Sequence, residues 1–250
     1  MDERVREAGN ALAGASSAAA LTGAGVSTAS GVPDFRSEGG VWDRYDEADF
    51  SLRAFRRDPG AFWERWLALT DDLRAGDVAP NAAHRALADL ESAGWLDAVV
   101  TQNVDGLHAA AGSENVVALH GRGDLAVCRS CGARVDAEGP RERARDGEPP
   151  PRCRDCDGVL EPDAVLFGQR LPEGALARAR ALAEDTGVFL VAGTSLTVEP
   201  AASLPLIAAR HGATVVIVND EETAHDDAAD YPLRGDVTEV LPALRDAMLG

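Results

Sequence analysis

Residues 16–36 read SSAAALTGAGVSTASGVPDFR. The run 16–21 is apolar, continuous and too short for a helix, which fits a strand buried on both faces. It leads directly into Thr22-Gly23-Ala24-Gly25. Two glycines there let the main chain approach a pyrophosphate, and free N–H groups at the start of a following helix could hold it. A strand that feeds a glycine-rich turn is how a dinucleotide-binding α/β sheet begins. The pair of glycines is also compatible with a plain structural turn. The third glycine of the full fingerprint is missing, Gly31 comes late, and the acidic residue that should end a second strand is unclear.

The same grammar recurs along the chain. Short apolar runs at 98–101, 116–119, 188–192 and 214–218 read as four more buried strands. They end at Gln102-Asn103, His120-Gly121, Gly193-Thr194-Ser195 and Asn219. Helical patterns fall at 2–13, 54–74, 84–92 (entered after Pro80-Asn81), 174–185 and about 200–211. Phe55, Phe62, Trp63, Trp66, Leu67 and Leu73 form the apolar face of the second. Strands alternating with helices predict a Rossmann-like, doubly wound parallel sheet, and all five strands place polar residues at the edge where such sheets bind ligands.

Residues 124–160 break the pattern, being rich in Arg, Pro, Gly and Cys. All four cysteines lie here, as Cys128-x-x-Cys131, 21 intervening residues, then Cys153-x-x-Cys156. Two such knuckles supply four thiolates for one tetrahedral zinc ion, and with every position filled by protein the ion is structural. Gly132 and Gly158 each follow a knuckle closely, where a tight turn is expected.

The 250-residue chain is 45% hydrophobic, enough for a large domain with smaller modules. No apolar run approaches the roughly 18 residues of a membrane span. The charged start, MDERVREAGN, lacks a signal-peptide core, so a cytoplasmic protein is expected. All 24 basic residues are arginine, and the formal charge is −18. Such a surface repels nucleic-acid phosphates, which argues against duplex binding, and suits hydration in a salt-rich cytoplasm.

Five segments then come into register: GAGVSTASGVPDFR (23–36), TQNVDGLH (101–108), LHG (119–121), VLFG (165–168) and GTSLTVEP (193–200), with the cysteines between the third and fourth. In order and spacing they resemble the sirtuin family over about residues 10–240. The resemblance implies an NAD-dependent protein-lysine deacetylase that moves the acetyl group to ADP-ribose and releases nicotinamide. Longer-chain deacylation or ADP-ribosyl transfer on the same scaffold, and a zinc-ribbon NAD-binding adaptor without turnover, are the alternatives. It also implies that residues 1–35, 80–123 and 161–250 form the NAD domain, 36–79 the cofactor loop and helical module, and 124–160 the zinc module.

Residue by residue, the resemblance implies that His120 is the base toward a ribose hydroxyl. Asp105 partners the nicotinamide amide, and Asn103 orders a water and the ribose. Gly23, Ala24, Gly25, Ser27, Gln102, Val104, Gly193, Thr194, Ser195, Asn219, Asp236 and Val237 contact the cofactor. Asp34, Phe35 and Arg36 belong to its mobile loop, with Phe35 shielding the reacting sugar. Val165, Phe167 and Gly168 line the acyl-lysine tunnel and pair with the peptide. Gln169 departs from the family's usual Glu, which bears on preference for basic peptides. Trp66 and Leu69 stand where succinyl-preferring members carry Tyr and Arg, which disfavours succinyl. His84, His108, His211 and His225 are expected to be structural, with His108, which lies in a matching motif, expected to support the site. A monomer acting on acetylated proteins is expected.

Overall fold

In the computed structural model, which describes residues 3–35, 39–74 and 76–249, the apolar runs become strands β1 (Ala18–Thr22), β2 (Ala98–Thr101), β3 (Val116–Ala118), β7 (Val188–Ala192) and β8 (Thr214–Asn219). Strands β4 (Gly121–Cys128), β5 (Arg134–Asp136), β6 (Leu160–Ala164) and β9 (Tyr231–Arg234) complete the set. The large sheet is parallel throughout, in the order β3-β2-β1-β7-β8-β9. Every residue of β1, β2 and β7 is buried because helices cover both faces, which is why these strands read as continuous apolar runs. One face packs on helices Glu3–Gly14, Ala82–Ser92 and Val237–Leu249, the other on Glu173–Asp185 and Leu204–Arg210. The strand order reverses between β1 and β7, so the crevice at their carboxyl ends is the place for a ligand.

The sheet has a sixth strand beyond the five expected. β9 reads Tyr-Pro-Leu-Arg, and only Leu233 is buried. An edge strand tolerates the missing N–H of Pro232, and one buried residue leaves no periodic signal. The 54–74 helix is two helices, Leu52–Arg57 and Pro59–Leu73, because Pro59 cannot continue the first and Asp58 caps the second by accepting from Ala61 N–H. The chain after β1 also differs from expectation. No α-helix starts there; two 3₁₀ turns, Ala24–Val26 and Thr28–Ser30, follow instead. The N–H groups of Gly25, Val26 and Ser27 bond Gly193, Gly23 and Ala24 carbonyls, so they are not free phosphate donors.

A small antiparallel sheet, β5-β4-β6, carries the cysteine knuckles. Its core is continuous with that of the helical segment: Phe50, Phe55, Phe62, Trp63 and Trp66 share one cluster with Cys128, Cys153 and Leu160. Trp63 Nε1–H donates to the Leu160 carbonyl at 2.8 Å. The two inserts therefore form one lobe. Gly121 is the hinge between the sheets: its φ is +80°, and a Cβ there would meet Asp163 O at 2.2 Å.

Candidate active site and metal centre

At the switch point the two glycine turns are packed on each other. A Cβ on Gly23 would lie 2.7 Å from Thr194 Cβ, one on Gly25 2.9 Å from Gly193 O, and one on Gly193 (φ +61°) 2.4 Å from Val26 N. These glycines exist first because two loops of the large sheet must interlock. Gln102 completes the junction, donating from Nε2 to Thr194 Oγ1 at 3.0 Å.

Behind the junction lies a closed hydrogen-bond network. Ser27 is fully buried; its hydroxyl donates to Asp105 Oδ2 at 2.7 Å and accepts from Asn103 Nδ2 at 3.1 Å. His84 Nε2 lies 3.4 Å away, placed to occupy the second lone pair. Ser27 thereby holds Asp105 and Asn103 in place. Asp105 also accepts from Leu107 N–H at 2.8 Å, and Asn103 also donates to Gly23 O at 3.0 Å, which leaves the Asn103 Oδ1 with capacity for a ligand. Under this layer, His108 Nε2 meets Thr22 Oγ1 at 2.9 Å, Thr22 donates to Thr101 Oγ1 at 2.9 Å, and Thr101 accepts from Asn103 N–H. Burial holds His84 neutral, lowered to about 4, and His108 to about 3, the latter also opposed by the neighbouring His84. Their rings stand 4.8 Å apart. Both histidines are thus part of the support behind the loop 102–105, and no periodicity could have marked them as such.

His120 sits in the turn between β3 and β4, half-buried. Its Nδ1 is 2.8 Å from Gln102 O. A carbonyl only accepts, so Nδ1 carries the proton in this contact. The His120 carbonyl in turn accepts from Val165 N–H at 2.8 Å, tying this histidine to the segment 165–168. Phe167 pairs along one edge with residues 50–52, through Phe167 N–H to Phe50 O and Leu52 N–H to Phe167 O. Gly168 is exposed and its φ is +77°. Phe35 packs tilted against Trp42 with centroids 5.4 Å apart, and Trp42 meets Phe167 edge-on at 5.3 Å, forming an aromatic wall on the small-lobe side. Asp34 O accepts from Val41 N–H. Val104 O accepts from Gly123 N–H at 2.8 Å. Arg36 lies outside the described residues.

Farther along the sheet edge, Ser195 is exposed and its hydroxyl meets Thr197 Oγ1. Asn219 donates from Nδ2 to Glu221 O. Asp236 is exposed and caps the last helix, accepting from Thr238 N–H at 2.7 Å, and Val237 is buried against the core. Trp66 stacks on Phe62 at 6.1 Å, and Trp66 and Leu69 are 7% and 3% exposed, so both are core residues.

The four cysteine Sγ atoms lie within 4.8 Å of one another, with Cys128–Cys156 at 3.5 Å and Cys131–Cys153 at 3.8 Å. Four thiolates at about 2.3 Å from a central zinc stand ~3.8 Å apart, so the set fits the ion. Gly132 has a φ of +74°, as a tight turn needs. Gly158 is a glycine for another reason: a Cβ there would lie 2.5 Å from Ser130 Oγ and 2.9 Å from Cys128 Sγ.

This arrangement has known counterparts. The model of the Sir2 family matches residues 23–200. An NAD-dependent protein deacetylase of Haloarcula marismortui is 53% identical over 236 residues, covering 94% of this chain and 90% of its own length. A solved Sir2 homologue mutant in complex with ADP-ribose superposes with a TM-score of 0.90 at 39% identity, over 100% of this chain and 97% of the other. A Sir2 protein solved with a p53 peptide and NAD+ gives 0.87 at 36% identity, over 98% of each chain. A family match over most of the chain, joined to the switch-point crevice and the four-thiolate cluster, places this chain in the Sir2 family.

Proposed function

We infer that His120, Asn103 and Asp105 carry the chemistry of this enzyme and that residues 165–168 receive its peptide. The reaction is NAD-dependent protein deacetylation, which moves acetyl from lysine to ADP-ribose and releases nicotinamide. One observation supports the assignment above others. His120 Nδ1 is held by the Gln102 carbonyl, and its own carbonyl holds Val165, so this histidine and the segment 165–168 are joined at one residue.

NAD, when bound, supplies the sugar carbon that accepts the acyl oxygen and the nicotinamide that leaves. The chain's contribution is placement. Asp105, oriented by Ser27 and Leu107, presents a carboxylate to the nicotinamide amide. Asn103 offers Oδ1 toward water and ribose, and Gln102 lies beside the ribose hydroxyls. His120 Nε2 takes a hydroxyl proton near neutral pH. Gly23, Ala24 and Gly25 line the phosphates with main chain, while Gly193, Thr194, Ser195, Asn219, Asp236 and Val237 border the adenosine half. Asp34, Phe35 and Val104 close the reacting end, where Phe35 excludes water. Val165, Phe167 and Gly168 pair with the peptide backbone, a mode that asks little of its sequence.

The wall of Phe35, Trp42 and Phe167 suits acetyl or a longer apolar acyl group, and Trp66 and Leu69 offer no partner to a succinyl carboxylate. No helix among the described residues is long and apolar enough to cross a membrane. A cytoplasmic monomer that does not bind duplex nucleic acid fits the charge of −18. The zinc holds the small lobe together. The test is an acylated-peptide panel with labelled NAD in low and molar KCl, read by mass spectrometry. O-acetyl-ADP-ribose that forms only with acetyl-peptide supports the reading. Labelled protein without that product would favour ADP-ribosyl transfer, and desuccinylation faster than deacetylation would overturn the acyl assignment.

A further inference from the structure

Glu161 on β6 is a carboxylate with only 3% of its side chain exposed, and the reaction does not use it. Arg129 Nε approaches its Oε2 at 2.9 Å. No donor is aligned on that oxygen as a hydrogen bond, so the contact is one of charge. The other oxygen, Oε1, accepts from Gln169 Nε2 at 3.5 Å. Gln169 then turns its Oε1 back onto Leu166 N–H at 3.1 Å, while its own N–H donates to Leu166 O at 2.9 Å. Glu161 therefore braces one side of the turn 166–169.

The other side leads to the same arginine. The Arg129 guanidinium lies over the Phe55 ring at 5.3 Å. Phe55 belongs to the helix Leu52–Arg57, whose first residue donates to Phe167 O. Arg129 itself stands between Cys128 and Cys131, its N–H bonded to Val159 O at 3.0 Å. Both edges of Leu166–Phe167 are thus referred to one side chain in the first zinc knuckle.

We propose that Arg129 and Glu161 are positioning residues for the acylated peptide: from the zinc knuckle they set, through Gln169 and Phe55, the two sides of the Leu166–Phe167 turn. The zinc lobe then has a task beyond its own stability, since its integrity fixes the strand that meets the substrate. Residue 169 is an amide because it must donate to one carboxylate while accepting from Leu166 N–H. A Glu there would face Glu161 with a second negative charge. Gln169 so placed is a brace of the turn and not a reader of basic peptides.

The inference rests on the reading that residues 165–168 receive the peptide, and the experiment separates the two. Zinc-loaded wild type, R129A, R129K and Q169E are compared by steady-state kinetics with acetyl-peptide and NAD. Loss of one charge-assisted contact should raise the peptide KM about tenfold in R129A and Q169E, with the NAD KM and kcat within about twofold. R129K keeps the charge but not the planar stacking, and should fall between R129A and wild type. Should R129A lose zinc or fail to fold, Q169E carries the test from the far end of the chain of contacts. An unchanged peptide KM in Q169E, or equal rises in both KM values, overturns the proposal. Amide exchange at residues 166–168 of the wild type, with and without acetyl-peptide, tests the underlying reading: protection upholds it, and its absence removes it whatever the variants do.

Discussion

The two walls of the cleft are built by opposite means. On the large-sheet side, polar side chains hold one another: Ser27, Asn103, Asp105, His84, Thr22, Thr101 and His108 form a buried network with its hydrogen-bonding capacity almost filled. On the small-lobe side, rings and thiols replace that network. Phe35, Trp42, Phe50 and Phe167 pack tilted or edge-on, and four cysteines close the far end. A satisfied polar network admits one geometry, because each misplaced group would be buried without a partner. Aromatic packing tolerates sliding, and a metal supplies the rigidity that a lobe with so little sheet lacks. The contrast teaches that the polar wall is fixed by mutual hydrogen bonding, whereas the other wall is apolar and pinned at a few points.

The sharpest test of the polar wall is His120→Ala. It should cut deacylation by about 10²–10⁴-fold, the range of one positioned base, with an unchanged circular dichroism spectrum. Retained activity would move the base elsewhere. For the other wall, Cys153→Ala or a strong chelator should release the zinc and unfold the small lobe, since structural zinc binding is itself folding energy. Exchange protection should vanish in β4–β6 but persist in β1, β2 and β7. Uniform loss over both sheets would mean that the walls fold as one unit.

A milder break is Ser27→Ala, which leaves the Asp105, Asn103 and His84 groups each short of a partner. We expect a stability loss of about 1–3 kcal/mol and a raised KM for NAD, checked by urea denaturation and kinetics. An unaffected enzyme would show that Asp105 and Asn103 are held without it. The smallest effect is on pH. His84 and His108 are lowered to about 4 and about 3, so below pH 6.5 the unfolded chain binds protons that the folded chain refuses. Their contribution is complete above about pH 6.5 and lost as pH falls toward 4. At pH 5.5 that is roughly 1 kcal/mol per histidine, visible as a lower urea midpoint. A midpoint constant from pH 7.5 to 5.5 would show that neither histidine is held neutral by the fold.

Much of this was legible in the chain itself. The continuous apolar runs of β1, β2, β7 and β8 announce strands covered on both faces, because burial on both sides removes any need for alternation. The two CxxC pairs announce a metal, because four thiols in a short segment have one economical arrangement. Local sequence could not supply what depends on partners distant along the chain. Gly25 reads as a turn glycine, but its packing against Gly193 is not written in the local sequence; Ser27 reads as a motif hydroxyl, and its bonds to Asp105 and Asn103, more than 70 residues away, appear only in the fold. β9 stayed hidden since an edge strand needs only one buried residue. Gln169 took its meaning only from Glu161 and Arg129, which fold toward it from the small sheet. Burial pattern and ligand chemistry are carried by neighbours along the chain, so the sequence alone determined the sheet, the zinc set and the family's motifs. The partners of a buried hydroxyl and the contacts that join Gln169 to the zinc knuckle depend on which distant groups meet, and only the tertiary structure decided those.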